Sequence, residues 1–355
     1  MVQLRFIQFG IILLNLTTSK IIVMKTKQIV LASRPKGLPT LKNFRSQEVD
    51  LPEINKGEVL LKGMFYSVDP YMRGRMNDAK SYVTPYQIDQ PIMGAVVALV
   101  SESKSDMFKM GDVVVGLLPW REAFIASEND LRKIDVSIIR PSYYLGILGM
   151  PGLTAYFGLM RIGKPKEGET VVVSGAAGAV GVVVGQIAKI YGCHVVGIAG
   201  TDEKVKTLKE EFNFDEVINY KTTKDINKAI AHACPKGVDV YFDNVGGEIS
   251  DAVISNINFH ARIVLCGQIS MYNTTDVPMG PRIQPMLLTR SVLMQGFIVN
   301  NYQSLFIEGI HQLAEWVTEG KLKYTETVEH GFDNLPNALL GLFTGENTGK
   351  MVVEA

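Results

Sequence analysis

Val171-Val172-Val173-Ser174-Gly175-Ala176-Ala177-Gly178-Ala179-Val180-Gly181 is the stretch from which the rest of the chain is read. It opens as a short Val-rich run, the pattern of a strand buried on both faces. It closes in a turn with glycines at G-x-x-G-x-x-G spacing. Val182, Val183, Val184, Ile187, Ala188 and Ile190 then continue at helical spacing up to Gly192. Strand, glycine turn and helix together form the setting of a dinucleotide site. Glycine lets the backbone turn tightly and lets a pyrophosphate approach amide N–H groups at the positive end of a helix. A non-binding α/β protein can carry the same turn; the flanking strand and helix favour the binding reading.

Strands and helices alternate downstream. His194 to Ala199, Glu216 to Tyr220, Val238 to Phe242 and Arg262 to Cys266 read as strands. Glu203 to Phe212, Asp225 to Ala233 and Glu248 to Ile257 read as helices between them. This alternation predicts a doubly wound parallel sheet. Upstream, Ile29 to Ala32, Glu58 to Tyr66, Ile92 to Leu99, Asp112 to Leu117 and Glu122 to Ala126 are short strands at the spacing of a compact β-barrel. Ser67 to Met76 reads as a turn into a short helix, whose Arg73 and Arg75 are expected to be structural or solvated rather than anion-binding. Gly146 to Gly158 is a helix entered through Pro151-Gly152. After the parallel sheet come a loop and short helix over Thr274 to Arg290, here taken as a border of the substrate cleft, and a helix over Ser304 to Glu319. A strand over Lys321 to Val328, a helix over Leu335 to Thr344 and a last strand over Lys350 to Val353 complete the chain.

The chain has 355 residues, 46% apolar and 20% charged, with zero net charge. Those values suit a globular protein of about two domains and give no sign of a nucleic-acid or membrane partner. Cys193, Cys234 and Cys266 are scattered, which favours a reducing, cytoplasmic setting over a disulfide framework. No cysteine or histidine precedes Cys193, so the first half cannot build a zinc site from Cys and His ligands, and no metal is expected. Residues 1–23 are mostly apolar over Phe6 to Leu16 and too short there to span a bilayer. We read them as an extension ahead of an internal start at Met24. The alternative is a signal peptide with Arg5 before an apolar Ile11 to Leu14, but no A-x-A-like site follows.

Cofactor choice rests on the end of the second strand. An NAD site places Asp or Glu there for the ribose diol. Here Gly197-Ile198-Ala199-Gly200-Thr201 has no acid before Asp202, and Lys204 follows. A neutral turn beside a cation favours the 2′-phosphate of NADP; the plain alternative is a helix N-terminus with solvated charges.

Six stretches carry a family resemblance: Leu31-Ala32-Ser33-Arg34-Pro35, Ser67-Val68-Asp69-Pro70-Tyr71-Met72-Arg73, Gly149-Met150-Pro151-Gly152, Ala176 to Gly181, Tyr241-Phe242-Asp243-Asn244-Val245-Gly246-Gly247, and Cys266-Gly267-Gln268-Ile269-Ser270-Met271-Tyr272-Asn273. From about Gln28 onward the chain resembles the zinc-independent medium-chain dehydrogenase/reductases, in the branch of the prostaglandin, alkenal and bacterial curcumin reductases. The resemblance implies a GroES-like β-barrel catalytic domain (24–144 and 300–355) around a Rossmann NADP-binding domain (145–299). It implies cofactor contacts at Gly178, Ala179, Val180, Gly181, Lys204, Tyr220, Asn244, Cys266, Gly267, Gln268, Ile269, Ser270, Tyr272, Phe297, Ile298, Val299 and Asn347. It also implies a carbonyl-facing catalytic tyrosine at Tyr272, a substrate-site tyrosine at Tyr82, and a homodimer joined near Leu293 to Val299. Relatives often have Tyr-Leu-Ser where this chain has Phe65-Tyr66-Ser67, a difference that bears on specificity if the aromatic touches substrate. The implied reaction is NADPH-dependent reduction of the C=C bond of an α,β-unsaturated aldehyde or ketone. The alternatives are an NADPH quinone oxidoreductase and a non-catalytic NADPH-binding regulatory protein.

Overall fold

The computed structural model describes residues 24–137 and 139–355; the expected N-terminal extension, 1–23, lies outside the described residues. The first half is antiparallel. It comprises β1 (Met24–Leu31), β2 (Phe44–Leu51), β3 (Glu58–Ser67), α1 (Tyr71–Arg75), β4 (Met93–Ser103), β5 (Val113–Pro119), β6 (Ala123–Ser127) and β7 (Leu131–Lys133). The chain then crosses through α2 (Met150–Phe157), which widens into a π turn over Gly158–Gly163 and stops at Lys164 in the left-handed conformation.

The second half alternates as expected: β8 (Thr170–Ser174), α3 (Gly181–Ile190), β9 (His194–Ala199), α4 (Asp202–Glu210), β10 (Glu216–Asn219), α5 (Ile226–Ala233), β11 (Val238–Asp243), α6 (Gly247–Ser255), β12 (Ile257–Leu265), α7 (Gln284–Thr289) and β13 (Leu293–Gly296). After α8 (Phe306–Thr318) the chain returns to the antiparallel half through β14 (Glu326–His330), α9 (Leu335–Thr344) and β15 (Lys350–Glu354). The expected strand from Lys321 starts later, at Glu326. Lys321 and Leu322 instead close the end of α8 by donating their amides to Trp316 O.

The second half forms one parallel sheet in the order β10-β9-β8-β11-β12-β13. Counted from β8, this is the 3-2-1-4-5-6 order of a dinucleotide-binding Rossmann sheet. All five residues of β8 are buried, and alternate ones serve opposite faces. Val171 and Val173 pack with Val183 and Ile187 of α3, while Val172 packs with Ile230 of α5 and Val253 of α6. Each such side chain, fully buried, contributes about 1.5–3 kcal/mol of apolar transfer free energy.

The second sheet runs β14-β15-β3-β4-β5-β7, antiparallel except between β14 and β15, with β6 pairing Glu58 to Lys62 of β3, and β1 and β2 pair beside it. Its core holds Val59, Leu61, Val96, Trp120 and Phe124, closed by Leu335 and Leu339 of α9 and by Val353 of β15. Tyr66 is fully buried in this core and its hydroxyl bonds Arg121 O, with Phe332 packed edge-on against its ring. Phe65 is buried as well, packed with Val97, Leu145 and Val352, so both residues of the Phe65-Tyr66 difference are core side chains of this half. Lys350 is buried in β15 and donates to Val68 O (2.6 Å) and Asp69 Oδ1 (2.9 Å), tying the last strand to the turn before α1.

Candidate active site

In an open α/β sheet ligands bind where strand order reverses, at the carboxyl ends of the strands. Here that crevice lies between the ends of β8 and β11. The turn after β8 is built for close approach. Gly175 has φ +59°, and Gly178 N–H donates to Gly175 O at 3.0 Å. A Cβ on Gly181 would stand 2.4 Å from Gly175 O, so no side chain fits at the start of α3. Across the turn stands the segment before β15: Gly349 N–H donates to Ala177 O (2.7 Å), and Asn347 Nδ2 donates to Gly349 O (2.8 Å). Gly178 to Gly181 and Asn347 therefore meet where the two halves touch.

At the end of β11 the fully buried Asp243 organises the floor. Its Oδ1 accepts from Val245 N–H (3.0 Å), Gly246 N–H (2.9 Å), Ser174 Oγ (3.0 Å) and Tyr241 OH (2.8 Å). Its Oδ2 accepts from Gln268 Nε2 (3.1 Å). Burial, and then the Asp243 charge, push the Tyr241 phenol well above its ordinary pKa, so it serves as a donor. Asn244 is pinned by Nδ2 to Ser174 O (2.8 Å). The segment Cys266 to Tyr272 runs along this turn: Cys266 and Gly267 amides reach Asp243 O, Ile269 N–H reaches Asn244 O, and Ser270 N–H reaches Val245 O. Phe297, just past β13, packs on Phe242 with ring centroids 6.5 Å apart; Ile298 N–H is capped by Asn301 Oδ1 and Val299 is buried.

At the end of β9, Thr201 caps α4 by accepting Lys204 N–H. Asp202 is engaged by Asn219 Nδ2 (2.7 Å). Lys204 Nζ donates to Gly345 O across the two halves at 2.7 Å. Burial, with Lys221 second, pulls Lys204 below the ordinary lysine pKa. Tyr220 stands over Gly200, where a Cβ would be 3.0 Å from its ring. Lys221 is a second cation at this corner that the sequence reading missed; its position directly after Tyr220 was the available signal.

Tyr272 follows a short 3-10 turn over Ile269–Met271. Its hydroxyl oxygen accepts Gln268 N–H at 3.3 Å, leaving the O–H free to donate. Burial is the main cause raising its pKa, opposed by that bond and reinforced by Cys266 and Asp243. Tyr82 comes from the antiparallel half and is 62% exposed; partial desolvation first, and then Tyr272, raises its phenol pKa. The two tyrosines named from sequence thus come from opposite halves, near enough for Tyr272 to act on the Tyr82 phenol. Neither arginine of α1 is solvated. Arg75 lies over the Tyr86 ring, 4.1 Å from its centroid, and Arg73 is 3% exposed. Burial first pushes the thiols of Cys193 up to about 11, and those of Cys234 and Cys266 up to about 12.

Among the described residues no group of three or more His, Cys, Asp or Glu side chains stands ready to hold a metal, and no helix is long and apolar enough to cross a membrane.

A Rossmann sheet joined to an antiparallel barrel, with a tyrosine at the crevice, defines an oxidoreductase of the medium-chain dehydrogenase/reductase type. The chain belongs to the zinc-independent branch of that family. A family described as the N-terminal domain of oxidoreductase matches residues 27–134, and one described as zinc-binding dehydrogenase matches residues 179–318. Despite the second description, the first half of this chain has no Cys or His for a zinc. YfmJ of Bacillus subtilis (strain 168) is 58% identical over 330 residues, covering 92% of this chain and 97% of that protein. The NADPH-dependent curcumin reductase of Escherichia coli (strain K12) is 43% identical over 334 residues, covering 93% and 96%. The crystal structure of CurA from Vibrio vulnificus in complex with NADPH is 44% identical, with a TM-score of 0.89, covering 93% of this chain and 99% of that one.

Proposed function

We propose that the protein reduces the C=C bond of α,β-unsaturated aldehydes and ketones with NADPH and without zinc. The observation that carries this is Tyr272: a phenol kept protonated by burial, its oxygen already accepting Gln268 N–H, beside the Asp243 turn. The cradle fits the cofactor. The glycine turn at Gly178 to Gly181, with Asn347 across it, would hold the pyrophosphate, Lys204 and Tyr220 the 2′-phosphate, and Asn244, the Cys266 to Tyr272 segment and Phe297 to Val299 the rest of the cofactor. When bound, NADPH supplies a hydride.

The residues of this chain then deal with charge. As the substrate β-carbon is reduced, negative charge gathers on the carbonyl oxygen. Tyr272 donates its O–H to that oxygen, a neutral donor aimed where charge develops. Tyr82 orients the substrate chain. The α-carbon takes its proton from water.

The two halves act as a catalytic domain (24–144 and 300–355) and a cofactor domain (145–299). A homodimer is supported by the open edge of β13, where Leu293 is 48% exposed, and by Leu288, 80% exposed beside it. A cytoplasmic location accords with the sparse, unpaired cysteines.

The test is NADPH consumption at 340 nm against 2-alkenals, enones and quinones, with product identified by mass. Saturated aldehyde or ketone is the expected product. Turnover with quinones alone, or with no compound, would overturn the reading.

A further inference from the structure

The guanidinium of Arg73 is buried, and all its acceptors are neutral oxygens from three separate segments. Nη2 donates to Gly37 O (2.8 Å) in the β1–β2 connection. Nη1 donates to Asn77 Oδ1 (2.7 Å) just past α1. Nε donates to Asn273 Oδ1 (2.9 Å) in the parallel half. Asn273 is the residue after Tyr272. The segment carrying Tyr272 is therefore held on two sides. Toward the parallel sheet it is zipped to Asn244 and Val245 through Ile269 and Ser270. Toward the barrel its fixed point is Arg73. Gly37 also abuts this segment, since a Cβ there would lie 3.7 Å from Asn273 O.

A buried cation is costly to desolvate, and a surface arginine would tie α1 to Gly37 at lower cost. A planar fork with donors in fixed directions suits the joining of three backbones at set angles. We propose that Arg73 is a positioning residue for the reduction. Through Asn273 it clamps the Tyr272 segment to the barrel, setting where the Tyr272 hydroxyl stands relative to a substrate held by Tyr82. Arg73 touches neither substrate nor cofactor; it acts through Tyr272. The inference rests on the reading of Tyr272 given above.

The test uses the full chain, NADPH and 2-hexenal. Wild-type turnover and its loss in Tyr272→Phe are measured first; failure of either sinks the reading of the site and not the clamp alone. Asn273→Ala removes the contact at the rim and leaves the arginine its Gly37 and Asn77 bonds, and Arg73→Lys keeps the charge but loses the fork. Each should lower kcat by about tenfold or more, since small misplacement of a catalytic group is expensive. NADPH affinity, read by fluorescence titration, should stay within about twofold, because the cofactor cradle is untouched. Combining Asn273→Ala with Tyr272→Phe should cost no more than about twofold beyond Tyr272→Phe alone, the signature of residues acting as a unit. Full kcat in Asn273→Ala, or losses that multiply in the double variant, would overturn the clamp. Arg73→Lys is scored only if its melting curve matches wild type, and Asn273→Ala decides the matter otherwise.

Discussion

The Tyr272 hydroxyl already accepts the Gln268 amide, so its single hydrogen is available for one further partner. Removing such a donor typically costs a hundredfold to a thousandfold in rate, but a cofactor ribose hydroxyl is expected to share the load. Tyr272→Phe should therefore lower kcat by roughly ten- to a hundredfold with NADPH affinity little changed, by steady-state kinetics. Tyr82→Phe should act mainly on KM for the enone, as a residue that binds ground and transition state alike. Because burial raises the Tyr272 pKa above its ordinary 10.0, the donor form persists through neutral pH and is lost only above pH 10. A pH–rate profile that fell between 7 and 9 in wild type but not in Tyr272→Phe would contradict this. Lys204→Glu should raise KM for NADPH by about tenfold or more, by replacing a phosphate contact with repulsion. An equal loss with NADH would place Lys204 away from the phosphate. Tyr272 and Lys204 could be singled out from sequence because local motifs carry them. The role of Arg73 could not: its outside acceptors, Gly37 and Asn273, lie 36 and 200 residues away, and only the folded chain brings them to it.

The elements that were read correctly are those whose burial leaves a mark in sequence. The fully apolar face-to-face packing of β8 appears as Val171 to Val173, and the β8-α3 turn as its glycines. Other elements leave no such mark. In β2, Phe-Arg-Ser-Gln-Glu-Val-Asp-Leu is mostly exposed and pairs only with β1, so no alternation of apolar residues announces it. The sheet strand β12 begins at Ile257, five residues before the expected start. His260 sits there at φ +59°, and pairing with β11 shifts register between Val238 and Val240. The link between β15 and the turn before α1 is testable at this scale. Lys350→Met leaves Asp69 buried without its cation and should cost about 3–5 kcal/mol in urea unfolding; Asp69→Leu in the same chain should recover much of it. A single variant as stable as wild type would show that the pair carries no such burden.

At the scale of the whole molecule, the parallel sheet ends on β13, whose outer edge has no partner strand among the described residues. An open edge is an invitation to further strands, and a twofold mate would close it. Light scattering at micromolar concentration should return a dimer, and a monomer there would refute the pairing. A last consequence comes from the three thiols, Cys193 and Cys234 buried and Cys266 half-buried. The compounds this protein is proposed to reduce are soft electrophiles that alkylate thiolates. With thiol pKa values pushed up to about 11 and 12, the reactive thiolate is a minor form at pH 7. Cys266 shares the crevice with Tyr272 yet is held in its unreactive form by burial and by Asp243. The protein is thereby spared from poisoning by its own substrates: intact-mass analysis after exposure to excess 2-hexenal without NADPH should find the folded chain unmodified, while the urea-unfolded chain gains adducts at cysteine.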